Sequence, residues 1–190
     1  MNRSFLVALC LALAFVLEGC THGIHSGTGG WPPASASSPV SISSSADVVK
    51  VRAADVSIPA GGNADATVTL SISPGYHINA NPATFSYLIA TEVRQVPAPD
   101  GICVVTGKIV YPAGINKKFA FAEKPLAVYE GEVVIKLPLH VPRPGEGGCY
   151  GYLTKGAHDS LPINVKVQAC DNEKCYSPAT LDATITVNVK

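Results

Sequence analysis

The stretch Asp65-Ala66-Thr67-Val68-Thr69-Leu70-Ser71-Ile72 places an apolar side chain at every second position and a polar one between. A period of two is the pattern of a strand with one face buried and one in water. The same alternation returns in Val133, Ile135, Leu137, Leu139 and Val141, again in Ile163, Val165, Val167 and Ala169, and finally in Leu181, Ala183, Ile185, Val187 and Val189. Turn-forming residues separate these runs: Gly61-Gly62-Asn63, Ser73-Pro74-Gly75, Pro97-Ala98-Pro99-Asp100-Gly101 and Pro142-Arg143-Pro144-Gly145. No stretch sustains a helical period.

Several such strands within residues 47–190 predict an all-β domain, an immunoglobulin-like two-sheet antiparallel β-sandwich, with a barrel as the lesser alternative. At 190 residues and 47% hydrophobic content the chain can bury one ordinary core. Lysine plus arginine equal aspartate plus glutamate at 14 each, which leaves no excess of basic charge to hold a phosphate backbone. No nucleic-acid partner is expected.

The first residues read as an export signal, residues 1–19. Arg3 precedes an apolar run from Phe5 to Leu17, shorter than the roughly 20 residues a membrane-spanning helix needs. The run ends in Leu17-Glu18-Gly19-Cys20, which looks like a lipobox, with Cys20 the expected lipidation site. Glu18 departs from the small or apolar residue usual at that position, and cleavage by ordinary signal peptidase is the alternative. Residues 20–46 then form a tether rich in Gly, Ser and Pro, with too little apolar surface to offset the entropy of ordering it. His22, His25 and Trp31 within it are assigned no role. The chain is thus expected in the periplasm, held to a bacterial membrane by a lipid anchor.

Cysteine parity agrees with lipidation. Cys10 leaves with the signal and acylation consumes Cys20, so Cys103, Cys149, Cys170 and Cys175 remain in an oxidising compartment where all can pair. Cys170 and Cys175 flank a hairpin-sized loop, Asp171-Asn172-Glu173-Lys174. Cross-strand neighbours lie close enough for a disulfide. Continuing the alternation of Ile163 to Ala169 puts Cys170 on the outward face with Asn164, Lys166 and Gln168, where it is expected to be reachable. As a staple this bridge is weak: chain entropy gives about 2 kcal/mol for a loop of about 6 residues, against about 4 kcal/mol for a Cys103–Cys149 loop of about 47. Spacing alone leaves open whether the short bridge is structural or reactive.

Five pieces in order carry a resemblance: Gly75-Tyr76-His77-Ile78-Asn79-Ala80-Asn81-Pro82; Tyr87-Leu88-Ile89-Ala90-Thr91-Glu92; Tyr111-Pro112-Ala113-Gly114; Phe121-Ala122-Glu123-Lys124-Pro125-Leu126-Ala127-Val128-Tyr129-Glu130-Gly131-Glu132; and Gln168-Ala169-Cys170 through Pro178. Over about residues 48–190 the chain resembles the N-terminal periplasmic domain of the DsbD thiol:disulfide interchange family. The resemblance implies an immunoglobulin-like domain in which Cys170 and Cys175 are a redox pair, exchanging electrons between a membrane-embedded reductase and periplasmic thiol or disulfide proteins. It implies that Cys175 forms the mixed disulfide with partners. It also implies a cap loop with an aromatic residue over the sulfurs, for which Phe119 and Phe121 are candidates; the alternative is that both face inward as strand core. Full DsbD proteins continue into a multi-span membrane domain and a thioredoxin-like domain, so electrons are expected to come from a separate reductase.

His77 is read as a structural residue of a strand or turn, although an imidazole could also accept a thiol proton or bind a metal. No His/Cys set has zinc-ligand spacing, and no metal or other cofactor is expected. Cys103 and Cys149 are expected to form a second, structural disulfide. The competing function is a non-catalytic immunoglobulin-like scaffold or adhesion lipoprotein with a structural bridge. The lipid expectation has a direct test: a palmitate analogue supplied during growth should label the wild-type chain and leave Cys20→Ala unlabelled. Equal labelling of both would show that the anchor is elsewhere or absent.

Overall fold

The computed structural model describes residues 41–96, 104–143, 146 and 155–190. Cys20, Cys103, Cys149, the export signal and all but the end of the expected tether lie outside the described residues. A 3₁₀ turn, Ser45–Asp47, opens the fold. The strands follow in order: β1 (Val49–Ala53), β2 (Val56–Ile58), β3 (Asn63–Ile72), β4 (His77–Asn79), β5 (Glu92–Gln95), β6 (Val105–Thr106), β7 (Ile115–Lys117), β8 (Leu126–Tyr129), β9 (Glu132–His140), β10 (His158–Val167), β11 (Ala169–Cys170) and β12 (Ala179–Val189).

The expected sandwich is present. One sheet runs β1-β3-β9-β6 and the other β2-β12-β10-β5. The alternating residues do what their period requires: Val68, Leu70, Ile135 and Leu137 from the first sheet and Leu161, Ile163, Val165, Ile185 and Val187 from the second are buried in one core cluster. Each such side chain contributes roughly 1.5–3 kcal/mol relative to leaving it in water. Register is thereby fixed, because a one-residue slip of β3 against β9 would turn Val68 and Leu70 out and Thr67 and Thr69 in.

Two details depart from a simple antiparallel pair of sheets. Strand β2 pairs with β12 in parallel, Val56 opposite Val187. More consequentially, there is a third sheet, β11-β4-β8-β7, made of short strands. The run from Ile163 to Ala169 is not one strand. Its ladder with β12 ends at Val167 opposite Ala179, and after Gln168 the chain joins the third sheet, with Ala169 opposite Ile78 and Cys170 opposite His77.

The last residues expected in the tether belong to the fold. Ser44 caps the 3₁₀ turn in a capping box completed by Asp47, whose carboxylate accepts from the Ser43 and Ser44 N–H groups, both at 2.9 Å. Ser45 is fully buried. Its hydroxyl donates to the Ser177 carbonyl at 2.8 Å and accepts from the Ala169 N–H at 2.8 Å, while its own N–H reaches Ser177 O at 2.9 Å. One side chain therefore ties both limbs of the cysteine hairpin to the start of the domain. Replacing it should expose how much the hairpin depends on that tie. Ser45→Ala leaves the buried Ala169 N–H without its acceptor, and denaturant unfolding of the full chain should show a loss of about 1–3 kcal/mol with unchanged slope. A change below about 0.5 kcal/mol would mean the tie contributes little.

Candidate functional site

Cys170 and Cys175 are joined by a disulfide across the expected hairpin, with their Cα atoms 3.9 Å apart. The loop between them is built by Asp171. Its Oδ1 accepts the N–H groups of Glu173 at 2.7 Å and Lys174 at 2.8 Å, the arrangement by which an Asp folds the following backbone into a turn. Its Oδ2 accepts the Tyr176 hydroxyl at 2.6 Å. The Tyr176 N–H closes the hairpin on the Ala169 carbonyl at 2.8 Å.

The two cysteines are in unlike surroundings. Cys175 is exposed. Cys170 is 2% exposed, so the expectation that it shares an outward face with Gln168 is corrected. That parity held only while the chain stayed in the β10 sheet. Once β11 pairs with β4, directly opposed residues project to the same face, and Cys170 stands beside the side chain of His77, itself buried. Phe119 stacks on the imidazole with ring centres 4.2 Å apart and 24° between planes.

Phe119 and Phe121 part company. Phe119 is 4% exposed and packs with Leu126 and Val128, with Phe85, Leu88 and Ala122 around them. Phe121 is 51% exposed and stacks on Phe119 at 5.3 Å. Neither lies in a strand; both belong to the connection 118–125 between β7 and β8, where the Ala122 N–H bonds the Phe119 carbonyl. The inward alternative thus describes Phe119 in part, as a loop residue, and Phe121 not at all.

The rest of the GYHINANP run supports the site without reaching the sulfurs. Asn79 and Asn81 donate to the carbonyls of Ile89 and Thr91, at 3.0 and 2.8 Å, and the Thr91 hydroxyl returns a bond to Asn79 O at 2.6 Å. The Tyr129 hydroxyl accepts from the Asn81 N–H and donates to the Pro112 carbonyl. Gly114 is required by close approach: a Cβ there would lie 2.6 Å from that of Ala80. The quoted pieces are therefore neighbours in space, gathered on the third sheet. Sequence reasoning missed Ser45, Asn79, Asn81 and the partnership of Asp171 with Tyr176. The first was signalled by Ser44-Ser45-Ala46-Asp47, a capping-box pattern, and the last by Asp at the head of a tight loop.

The electrostatics follow from these contacts. The Tyr176 hydroxyl, then the Lys174 and Glu173 N–H groups, hold the Asp171 carboxyl down at about 2, and the same bond pushes the tyrosine hydroxyl up. A depressed carboxylate stabilises the fold at pH values above its unfolded value near 3.8, and that contribution is lost as pH falls through about 2. Burial, the largest influence on His77, holds it below its ordinary 6.5; Glu130 and Asp171 oppose that shift and Lys117 adds to it. Lys117 and Glu130 form an ion pair beside the imidazole. Among the described residues no three His, Cys, Asp or Glu side chains gather as metal ligands would. Tyr176→Phe removes the leading cause of the Asp171 shift, so an NMR titration of that carboxyl should show it return toward 3.8. An Asp171 that still titrates at about 2 would place the cause in the loop N–H groups alone.

No curated protein sequence matches the chain significantly. Among solved structures, the reduced DsbD N-terminal domain of Neisseria meningitidis is 17% identical, covering 68% of this chain and 82% of that one, with a TM-score of 0.41. The N-terminal periplasmic domain of ScsB from Proteus mirabilis is 13% identical, with a TM-score of 0.43; it covers 74% of this chain, and the chain spans 45% of that one. A cohesin–dockerin complex from Clostridium thermocellum is 10% identical over 75% of this chain and 95% of that chain, with a TM-score of 0.39. The family model described as thiol:disulfide interchange protein DsbD, N-terminal, matches residues 45–186, from the buried Ser45 through the cysteine hairpin and most of the last strand. By that match the chain belongs to the DsbD N-terminal domain family.

Proposed function

We propose that this protein is a periplasmic, membrane-tethered thiol:disulfide interchange module, passing electrons from a membrane-embedded reductase to protein partners through Cys170 and Cys175. One observation carries the reading: a disulfide joins an exposed residue, Cys175, to a buried one, Cys170. Exchange requires a thiolate to approach one sulfur in line with the bond, so access at only one end selects which sulfur meets the partner. Cys175 forms the mixed disulfide and Cys170 resolves it. The connection bearing Phe119 and Phe121 acts as the cover over the buried half.

The competing scaffold reading has less support, because a loop this short constrains the unfolded chain by only about 2 kcal/mol. Periplasmic location accords with the family and with the ScsB domain, which is described as periplasmic. The tether through Cys20 and the second bridge, Cys103 to Cys149, are parts of the same proposal.

In a periplasmic extract of the host, Cys170→Ala should accumulate complexes that dithiothreitol dissolves, because the remaining Cys175 thiolate attacks a partner disulfide and nothing displaces it. Cys175→Ala should accumulate none. The wild-type pair should have a reduction potential above about −300 mV, the region below which structural bridges lie. No trapped partner with either variant, together with a potential below that value, would leave the bridge as a staple.

A further inference from the structure

The disulfide cycle leaves one chemical demand unmet by the cysteines themselves. In the resolving step Cys170 must act as a thiolate, yet its side chain is enclosed at 2% exposure, and burial disfavours the charged form of a thiol. Exposed Cys175 can lose its proton to water. Cys170 needs an acceptor inside the site.

Three acid or base groups lie around the buried pair besides His77: Asp171, Glu130 and Lys117. Asp171 is committed to two loop N–H groups and the Tyr176 hydroxyl, and a carboxylate held at about 2 is a poor base toward a thiol. Glu130 is paired with Lys117, whose ammonium carries a proton already. His77 differs on each count. It is the register partner of Cys170 across β11 and β4, it is 1% exposed, and Phe119 stacked on its ring fixes the plane of the imidazole.

We propose that His77 is the proton acceptor that turns the buried Cys170 thiol into the thiolate that resolves the mixed disulfide. The inference rests on the exchange reading above. In the first step the Cys175 thiolate attacks the partner disulfide, forming the Cys175–partner bond and releasing one partner thiolate. In the second, His77 takes the proton from Cys170 Sγ, and the Cys170 thiolate attacks Cys175 Sγ. The Cys170–Cys175 bond forms, the second partner thiolate leaves, and the imidazolium returns the proton to it or to water. Two electrons pass from the dithiol to the partner disulfide, and no other redox group is involved.

Burial keeps the imidazole neutral, and hence able to accept, through the neutral pH range; Glu130 and Asp171 favour its protonation and Lys117 opposes it, and the sum lies below 6.5. A resolving step served by His77 should therefore gain rate with pH up to a point below 6.5 and level off above it. A step dependent on unassisted ionisation of the thiol would keep rising through about 8.5.

Stopped-flow reaction of the reduced full-length chain with dithiobis(nitrobenzoate), an aromatic disulfide whose thiolate absorbs, separates the two steps. The first release reports attack by Cys175 and the second reports resolution by Cys170. Cys170→Ala, which gives only the first, assigns the phases, and a variant lacking both cysteines supplies the background from other thiols. In His77→Gln the first release should change little, while the second should slow on the order of a hundredfold at neutral pH and lose its plateau. Added imidazole should restore part of that rate in His77→Ala. A second phase unchanged in rate and pH profile in His77→Gln, or a wild-type second phase that rises through about 8.5, overturns the role of His77 and leaves the exchange reading standing. A wild-type chain that releases nothing from the pair overturns the exchange reading itself. The wild-type profile decides even where a His77 variant does not fold.

Discussion

Two residues of backbone pairing, Ala169 with Ile78 and Cys170 with His77, hold the cysteine hairpin of this protein to β4. Everything distinctive about the site follows from that short ladder. With it the chain leaves the β10 sheet after Val167, Ala169 enters the core and Cys170 is buried. The hairpin then turns within four residues, and Cys175 emerges into solvent. Such a ladder is too short to stand alone. The Ser45 hydroxyl, the Asp171 turn and the disulfide itself each fasten one side of it.

The division of labour within the domain is correspondingly sharp. The two large sheets supply apolar burial and a fixed register, and neither holds a residue of the cysteine hairpin. The third sheet is small, and with its adjoining loops it carries Cys170, the imidazole of His77 and the Phe119 ring stacked on it. Asn79, Asn81, Thr91 and Tyr129 keep the long connection between β4 and β5 against this sheet by bonding backbone that has no strand partner. A buried polar network of this kind stays organised because an unmade bond inside it costs more than the bond contributes when made.

The sandwich was legible in the sequence because a period of two with turn residues between is a direct imprint of one-sided burial, and β3, β9, β10 and β12 follow it closely. The hairpin disulfide was legible for a similar reason, since a four-residue loop between two cysteines leaves few other geometries. The burial of Cys170 was not. Parity extrapolates only while a strand remains in its sheet, and the change of partner at Gln168 depends on residues some ninety positions earlier, in β4. In sequence His77 reads as structural, with a thiol proton acceptor as the alternative, and only the pairing with β11 gives it a cysteine for a neighbour. Ser45 fell on the far side of a boundary drawn from composition, which registers serine as disorder and cannot register one buried hydroxyl.

The Ser44–Ser177 bridge has a geometric consequence of its own. The described chain enters the fold beside the residue two places beyond Cys175, not at the opposite pole of the sandwich. The start of the domain and the cysteine hairpin therefore lie at the same end of the fold. Seen as a doorway, Cys175 has its hinge post in the opening turn of the domain: Ser44 and Ser45 hold the backbone of Ser177, two places beyond it.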